Sequence, residues 1–175
     1  FIIDTCSCPG SKSFGMAIKM KNNGKIISCD LHKSKLSLVD AGAERLSIDI
    51  IEIREIDGRK NIEEWNEKAD RELCDVPCSG FGVFAKKPEL RYKDPTASEA
   101  LPNIQQAILK SASQYVKIGG KLVYSTCTLL PQENEENVSR FLDENNSFAL
   151  KEQRTLYPDT DGTDGFFYAV LERVK

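Results

Sequence analysis

Three short apolar runs, residues 1–4, 25–29 and 48–56, each close on an aspartate: Asp4, Asp30 and Asp57. A fourth run, residues 71–75, closes on Asp75, and segments of helical period separate the runs. Strand-length apolar runs alternating with helical pattern predict an α/β sheet built from right-handed crossovers. In open sheets of that kind ligands bind outside the carboxyl ends of the strands, where these four acids fall.

The pattern sets expected boundaries. A first helix is expected over residues 12–21, broken by Asn22-Asn23-Gly24 as Asn and Gly do at a C-cap. The next carries Leu36, Val39, Ala43 and Leu46 at spacings of three or four, so one face is core. The charged stretch up to Lys68 predicts a poorly buried helix around Trp65. A long loop then leads to a helix bearing Leu101, Ile104, Ile108, Ala112 and Tyr115. Gly119-Gly120 is expected to turn the chain into a fifth strand, Lys121-Leu122-Val123-Tyr124-Ser125. Pro131 suits the first turn of a helix that buries Val138, Phe141 and Leu142. Residues 147–152 and 166–172 predict an antiparallel pair at the sheet edge.

At 175 residues, 40% hydrophobic and 29% charged, the chain is expected to form one domain, residues 1–175. Its first residues already read as a strand, so an upstream region belonging to a longer protein is expected. A net charge of -3 argues against a globally basic nucleic-acid binder and leaves a local patch open. Lys86, Lys87, Arg91 and Lys93, interleaved with Phe81, Phe84 and Tyr92, are that patch and are read as RNA-contacting. No run approaches the ~18 apolar residues of a membrane span, so no membrane partner is expected. Several of the six cysteines fall in or at the ends of expected strands, which points to a reducing, cytoplasmic setting. One histidine and no Cys-x-x-Cys pair leave no metal site to expect.

Two thiols stand at strand ends: Cys78 in Asp75-Val76-Pro77-Cys78-Ser79-Gly80, and Cys127 in Tyr124-Ser125-Thr126-Cys127-Thr128. Both can face one pocket. The first loop, Asp4-Thr5-Cys6-Ser7-Cys8-Pro9-Gly10-Ser11-Lys12, precedes a helix N-terminus whose free N–H groups favour anionic groups. It is not a P-loop, because Cys6 and Ser11 stand where glycines are required, and no Gly-x-Gly-x-x-Gly occurs. On spacing alone it reads equally as a cofactor loop or an ordinary turn. Asp30, some twenty residues after the glycine, is where a ribose hydroxyl pair is gripped, and Asp57 can reach an adenine edge. Cys29 and Cys74 read as buried structural thiols, and His32 as a solvent-facing residue at a helix start.

Taken in order, these two thiol motifs and the first loop, together with Pro131-Gln132-Glu133-Asn134-Glu135 and Thr163-Asp164-Gly165-Phe166-Phe167-Tyr168, resemble the motifs of the RNA cytosine-5 methyltransferases. Within that family the chain is most similar to the bacterial small-subunit ribosomal RNA enzymes of the Sun (Fmu) type. The resemblance implies a Rossmann-like, S-adenosylmethionine-dependent methyltransferase sheet of seven mostly parallel strands, the last antiparallel, with helices on both faces. It implies that Cys6, Ser7, Cys8, Pro9, Gly10, Ser11 and Lys12 cradle the methionine part of the cofactor. Asp30 would hold the ribose hydroxyls and Asp57 lie by the adenine. Asp75 would contact the target base beside the cofactor, Cys127 would be the nucleophile, and Cys78 would help release product. The family loop usually ends Gly-Gly-Lys-Thr, and here it is Gly10-Ser11-Lys12-Ser13.

Two cysteines suit this chemistry. Carbon 5 of cytosine is a poor nucleophile until a thiolate adds at carbon 6, and the carbon 5 proton must later leave. The implied substrate is RNA, small-subunit ribosomal RNA first, with transfer RNA or another ribosomal site as the alternative. Two other classes stay open at this point: a paralogue that binds S-adenosylmethionine or RNA without turnover, and a redox domain that uses the same thiols as a disulfide couple.

Overall fold

The structure is a computed structural model that describes residues 1–175, apart from the side chains of Pro95 and Ala97. Its strands are β1 (Ile2–Asp4), β2 (Ile26–Asp30), β3 (Ile51–Glu55), β4 (Ala69–Asp75), β5 (Val116–Thr126), β6 (Phe148–Leu156) and β7 (Phe166–Arg173). They form one seven-stranded sheet in the order β3-β2-β1-β4-β5-β7-β6. The pairs from β3 through β5 are parallel, while β7 runs antiparallel to both β5 and β6. The expected antiparallel pair is present, with β7 inserted between β5 and the edge strand.

The helices are α1 (Ser11–Lys19), α2 (Lys33–Arg45), α3 (Leu101–Ser113), α4 (Glu135–Glu144) and the single turn α5 (Pro158–Asp161). From β1 the chain steps outward to β2 and β3, whereas β4 and β5 lie on the other side of β1. Right-handed crossovers therefore place α1 and α2 on one face and α3 on the other, and the order reverses between β1 and β4. Ile3, Ile27, Cys29, Cys74, Leu122, Tyr124 and Phe167 are buried in the core between these layers. The two thiols read as structural are thus enclosed, as expected.

Four boundaries differ from expectation, each for a local reason. Helix α1 ends at Lys19 because Lys21 and Asn22 already take a left-handed backbone, both at φ 54°, ahead of the Asn-Gly pair. The charged stretch around Trp65 forms only a 3-10 turn, Glu63–Trp65, and Trp65 is buried, its ring edge-on to Tyr115 at 5.6 Å. Gly119-Gly120 lies inside β5: the β4–β5 register shifts between Ala69 and Arg71, and Gly119 absorbs the irregularity at φ +77°. Pro131 opens a 3-10 turn, Pro131–Glu133, rather than α4 itself. Among the described residues no helix is long and apolar enough to cross a membrane.

Candidate active site

The reversal of strand order leaves a crevice at the carboxyl ends of β1 and β4. There the structure has a cavity of about 490 Å³. Its walls come from five strand ends: Thr5, Cys6 and Cys8 after β1, Asp30 and His32 at β2, Asp57 to Arg59 after β3, Asp75 to Cys78 at β4, and Cys127 after β5. Ile104 and Ile108 of α3 close one side. Seven of the twelve residues singled out in the sequence, Cys6, Cys8, Asp30, Asp57, Asp75, Cys78 and Cys127, therefore meet in one cavity.

The other five, Ser7, Pro9, Gly10, Ser11 and Lys12, are not in its lining. Ser7 is buried and donates both its backbone N–H (2.8 Å) and its hydroxyl (3.0 Å) to the carbonyl of Cys29, pinning the loop onto β2. Gly10 precedes α1 at φ +107°, and a Cβ there would stand 2.6 Å from the Phe14 ring. Pro9 and Ser11 are exposed. Lys12 reaches across the sheet, donating from Nζ to Oδ2 of Asp75 at 2.5 Å, while the Ser125 hydroxyl donates to Oδ1 at 2.7 Å.

The sulfurs of Cys78 and Cys127 are 3.0 Å apart, and the backbone N–H of Cys127 donates to Cys78 Sγ at 3.2 Å. The contact is a hydrogen bond from one thiol to the other sulfur. The hydrogen bond from Cys78 brings the Cys127 thiol down to about 7, against burial and the nearby Asp75 charge and with help from Lys87. The same hydrogen bond, and then burial, pushes Cys78 up. Cys127 is thus the thiol disposed to act as a thiolate near neutral pH. Burial raises Cys6 and takes Cys8 up to about 11, so both remain protonated thiols there.

Backbone contacts lock the loop carrying Cys78. Gly82 donates its N–H to the Cys127 carbonyl at 3.0 Å, and Gly165 donates to the Gly82 carbonyl at 2.7 Å. A Cβ on Gly82 would lie 2.0 Å from the Gly165 oxygen, so only glycine permits the approach. The motif around Asp164 is in this way tied to the thiols, a role that no sequence spacing discloses.

The acids differ in how committed they are. Asp30 accepts the backbone N–H of His32 at 2.9 Å, and His32 itself is exposed at the start of α2, as expected. Asp57 is gripped by Arg59, whose Nε and second guanidinium nitrogen donate at 2.8 and 2.9 Å, and this hydrogen bonding holds its carboxyl below the usual range. Asp4 is buried, and desolvation raises it to about 7 although Ser13 donates to it at 2.6 Å. Beside it Glu72, hydrogen-bonded by Thr5, is raised well above its ordinary value by burial. Glu72 was missed in the sequence; an acid in the middle of an otherwise buried strand was the available signal.

The loop after β4 carries the basic cluster. Lys86 pairs with Asp164 at 2.6 Å. Lys93 donates to the Ser79 carbonyl at 3.0 Å and stands 5.5 Å over the Phe81 ring, which stacks on Phe84. Among the described residues Lys87 and Arg91 have no ion-pair partner.

The donor set fits S-adenosylmethionine. A volume near 490 Å³ lies within the range of small-molecule pockets, with carboxylates at Asp30 and Asp75 for hydroxyl and ammonium groups and apolar walls at Ile104, Ile108 and Val76. Among the described residues no group of His, Cys, Asp and Glu could hold a metal ion.

Comparison with known proteins agrees with this geometry. Residues 1–172 match the family described as "16S rRNA methyltransferase RsmB/F". A Bacillus subtilis protein named "Probable ribosomal RNA small subunit methyltransferase B" is 40% identical over 98% of this chain and 43% of its own length. A Pyrococcus horikoshii protein named "tRNA (cytosine(72)-C(5))-methyltransferase" is 34% identical over 99% of this chain and 47% of its own. The crystal structure of NSun6 from Pyrococcus horikoshii with SFG superposes with a TM-score of 0.90 at 33% identity, covering 99% of this chain and 48% of that one. The chain thus spans less than half the length of these relatives.

Proposed function

Since this chain belongs to the 16S rRNA methyltransferase RsmB/F family, whose methyl donor is S-adenosylmethionine, we propose that it methylates carbon 5 of a cytosine in RNA, small-subunit ribosomal RNA first, through a covalent bond from Cys127 to the base. The observation that carries this reading is the 3.0 Å contact between Cys78 and Cys127 in a cavity that also holds Asp75.

When bound, the cofactor supplies a methyl group on a positively charged sulfur. Asp30 would hold its ribose hydroxyls, and the loop from Cys6 to Lys12 would hold its methionine end. Asp57, already held by Arg59, would shape the adenine end with that arginine rather than offer a bare carboxylate. The Cys127 thiolate adds to carbon 6 of cytosine, and the ring becomes an enamine nucleophilic at carbon 5. Negative charge grows towards nitrogen 3, where Lys12 would supply a positive charge and Asp75, transiently protonated, would donate the hydrogen bond. Cys127, once bonded to carbon 6, no longer shares a proton with Cys78. After methylation a water that Cys78 positions, or Cys78 itself once its proton has passed to solvent, takes the carbon 5 proton, and the carbon–sulfur bond breaks to return the Cys127 thiolate.

The test is incubation of the full-length protein with labelled S-adenosylmethionine and unmodified ribosomal RNA, followed by mapping of the methylated base. Label at carbon 5 of one small-subunit cytosine is the expected result, and absence of label from ribosomal RNA removes this substrate. Transfer RNA is the second reading, motivated by the Pyrococcus relative named for a transfer RNA cytosine, and unmodified transfer RNA belongs in the same assay.

A further inference from the structure

The residues on both sides of each thiol are held by one network built on Glu133, Asn134 and Gln105. On the Cys78 side, Oε2 of Glu133 accepts the backbone N–H of Ser79 at 2.9 Å and Nε2 of Gln105 at 2.7 Å, and that Gln105 nitrogen also donates to the Pro77 carbonyl at 3.0 Å. On the Cys127 side, the Thr126 hydroxyl donates to Asn134 Oδ1 at 2.6 Å, and Asn134 Nδ2 donates to the Thr128 carbonyl at 2.9 Å. The Ser79 hydroxyl joins the halves by donating to Thr128 Oγ1 at 2.8 Å. Below, the Tyr124 hydroxyl donates to the Glu133 carbonyl at 2.7 Å.

Glu133 and Asn134 are each only 1% exposed. Oε1 of Glu133 is buried with no partner, a cost that an apolar side chain would avoid. A polar network that tolerates an unpaired buried oxygen, and touches the residues before and after both thiols, serves geometry more than cohesion. We propose that Glu133 and Asn134 are positioning residues that set the approach of Cys78 to Cys127, and through it the state in which Cys127 attacks the base. This rests on the reaction assigned above. Neither residue touches the cavity, so the effect passes through the two loops.

The test reads Cys127 itself in the full-length protein, by the pH dependence of its alkylation with iodoacetamide followed in the Cys127 peptide by mass spectrometry. Glu133→Ala is expected to move that midpoint upward and to lower kcat on RNA about tenfold or more, since misplacement by an ångström can cost a hundredfold. S-adenosylmethionine affinity should stay within about twofold of wild type, because Asp30 and the loop from Cys6 to Lys12, which would hold the ribose and methionine ends, lie on other strand ends. Glu133→Gln keeps an oxygen for both bonds and places its amide where Oε1 now has no partner, so it should restore both readouts. An unshifted midpoint in folded Glu133→Ala overturns the proposal. Loss of cofactor affinity in parallel with kcat also overturns it in favour of a purely structural role.

If Glu133→Ala does not fold, Ser79→Ala removes the bridging hydrogen bond alone, and Thr128→Val removes it together with the acceptor of the Leu130 N–H. A wild-type midpoint in both then counts against the proposal, and an upward shift supports it. Alkylation needs no RNA, so a protein inactive on every RNA tried refutes the reaction, while the midpoint still decides the positioning.

Discussion

Lys12 and Asp75, at the start of α1 and the end of β4, are joined across the sheet by a 2.5 Å hydrogen bond from ammonium to carboxylate. Their side chains are 48% and 29% exposed, and pairs that solvated contribute about 0–1 kcal/mol to stability. On the function proposed above, a lysine reaching over the cavity rim to this particular acid would matter to the reaction more than to the fold. Lys12→Ala is expected to lower kcat on RNA by at least about tenfold, as loss of a transition-state charge partner does, while the melting temperature moves by a few degrees at most. A large drop in melting temperature with normal turnover would reverse that assignment.

The division of labour between the thiols predicts unlike mutants. Cys127→Ala should abolish methyl transfer and leave cofactor binding near wild type, because the sulfur lies on the far side of the cavity from Asp30's strand. Cys78→Ser should trap RNA on Cys127, since addition and methylation can proceed while product release fails. A denaturation-resistant protein–RNA band in Cys78→Ser and none in Cys127→Ala is the expected gel. Equal inactivity with no adduct in either would assign the thiols differently.

Asp30 lies in the cavity wall, its carboxylate accepting the His32 N–H with the Cys8 thiol beside it, and its remaining lone pairs are available to a ligand. Hydrogen bonds to charged groups are worth ~1.5–3 kcal/mol, so Asp30→Ala should weaken S-adenosylmethionine binding by roughly ten- to a hundredfold in a calorimetric titration. Unchanged affinity would take Asp30 out of the site.

These sites were legible in the sequence to the extent that their geometry is local. An apolar run closing on an acid is a strand end wherever it occurs, and so Asp30, Asp75, Cys78 and Cys127 could be placed before any coordinates. The 3-10 turn at Trp65 was not legible, because its charged neighbours resemble an exposed helix while the indole packs on Tyr115, fifty residues away. The commitment of Asp57 to Arg59 was written two residues away and passed over, since a turn Asp ordinarily has no side-chain partner to name. Glu133 stands in a motif, but its role could not be read: it accepts a backbone N–H 54 residues distant, and backbone atoms leave no mark in a sequence. The Gly82–Gly165 approach is of the same kind.

Asp4 gives the fold a pH dependence. Its carboxyl is raised from 3.8 to about 7, chiefly by burial, so between those values the folded chain holds a proton that the unfolded chain has released. Stability is therefore fully present below about pH 3.8, falls as pH rises through the window to about 7, and is level above it as far as this group is concerned. Glu72, raised for the same reason, acts in the same direction. For Asp4 the total is on the order of 4 kcal/mol. Asp4→Asn carries no such proton, so urea unfolding between pH 4.5 and 7.5 should show a flatter slope in the variant. Any penalty from its new amide is a constant offset, and parallel slopes would mean that Asp4 ionises normally in the folded protein.

The basic loop should bind RNA with fewer charges than its composition offers. Lys86 is paired with Asp164, and Lys93 is spent on the Ser79 carbonyl and the face of Phe81, whereas Lys87 and Arg91 are exposed with no ion-pair partner among the described residues. Each phosphate neutralised on a single strand contributes about -0.7 to the slope of log affinity against log salt. Lys87→Ala and Arg91→Ala should each make the slope shallower by about that amount, measured by fluorescence anisotropy with a single-stranded RNA oligonucleotide. Lys86→Ala should change it much less, because a lysine already paired with Asp164 neutralises no phosphate. Lys93→Ala should act differently again: by releasing the Ser79 carbonyl it loosens the loop that carries Cys78, so turnover should fall more than RNA affinity. Equal changes of slope in all four variants would show that the pairs at Lys86 and Lys93 open on binding and that the whole loop grips the strand.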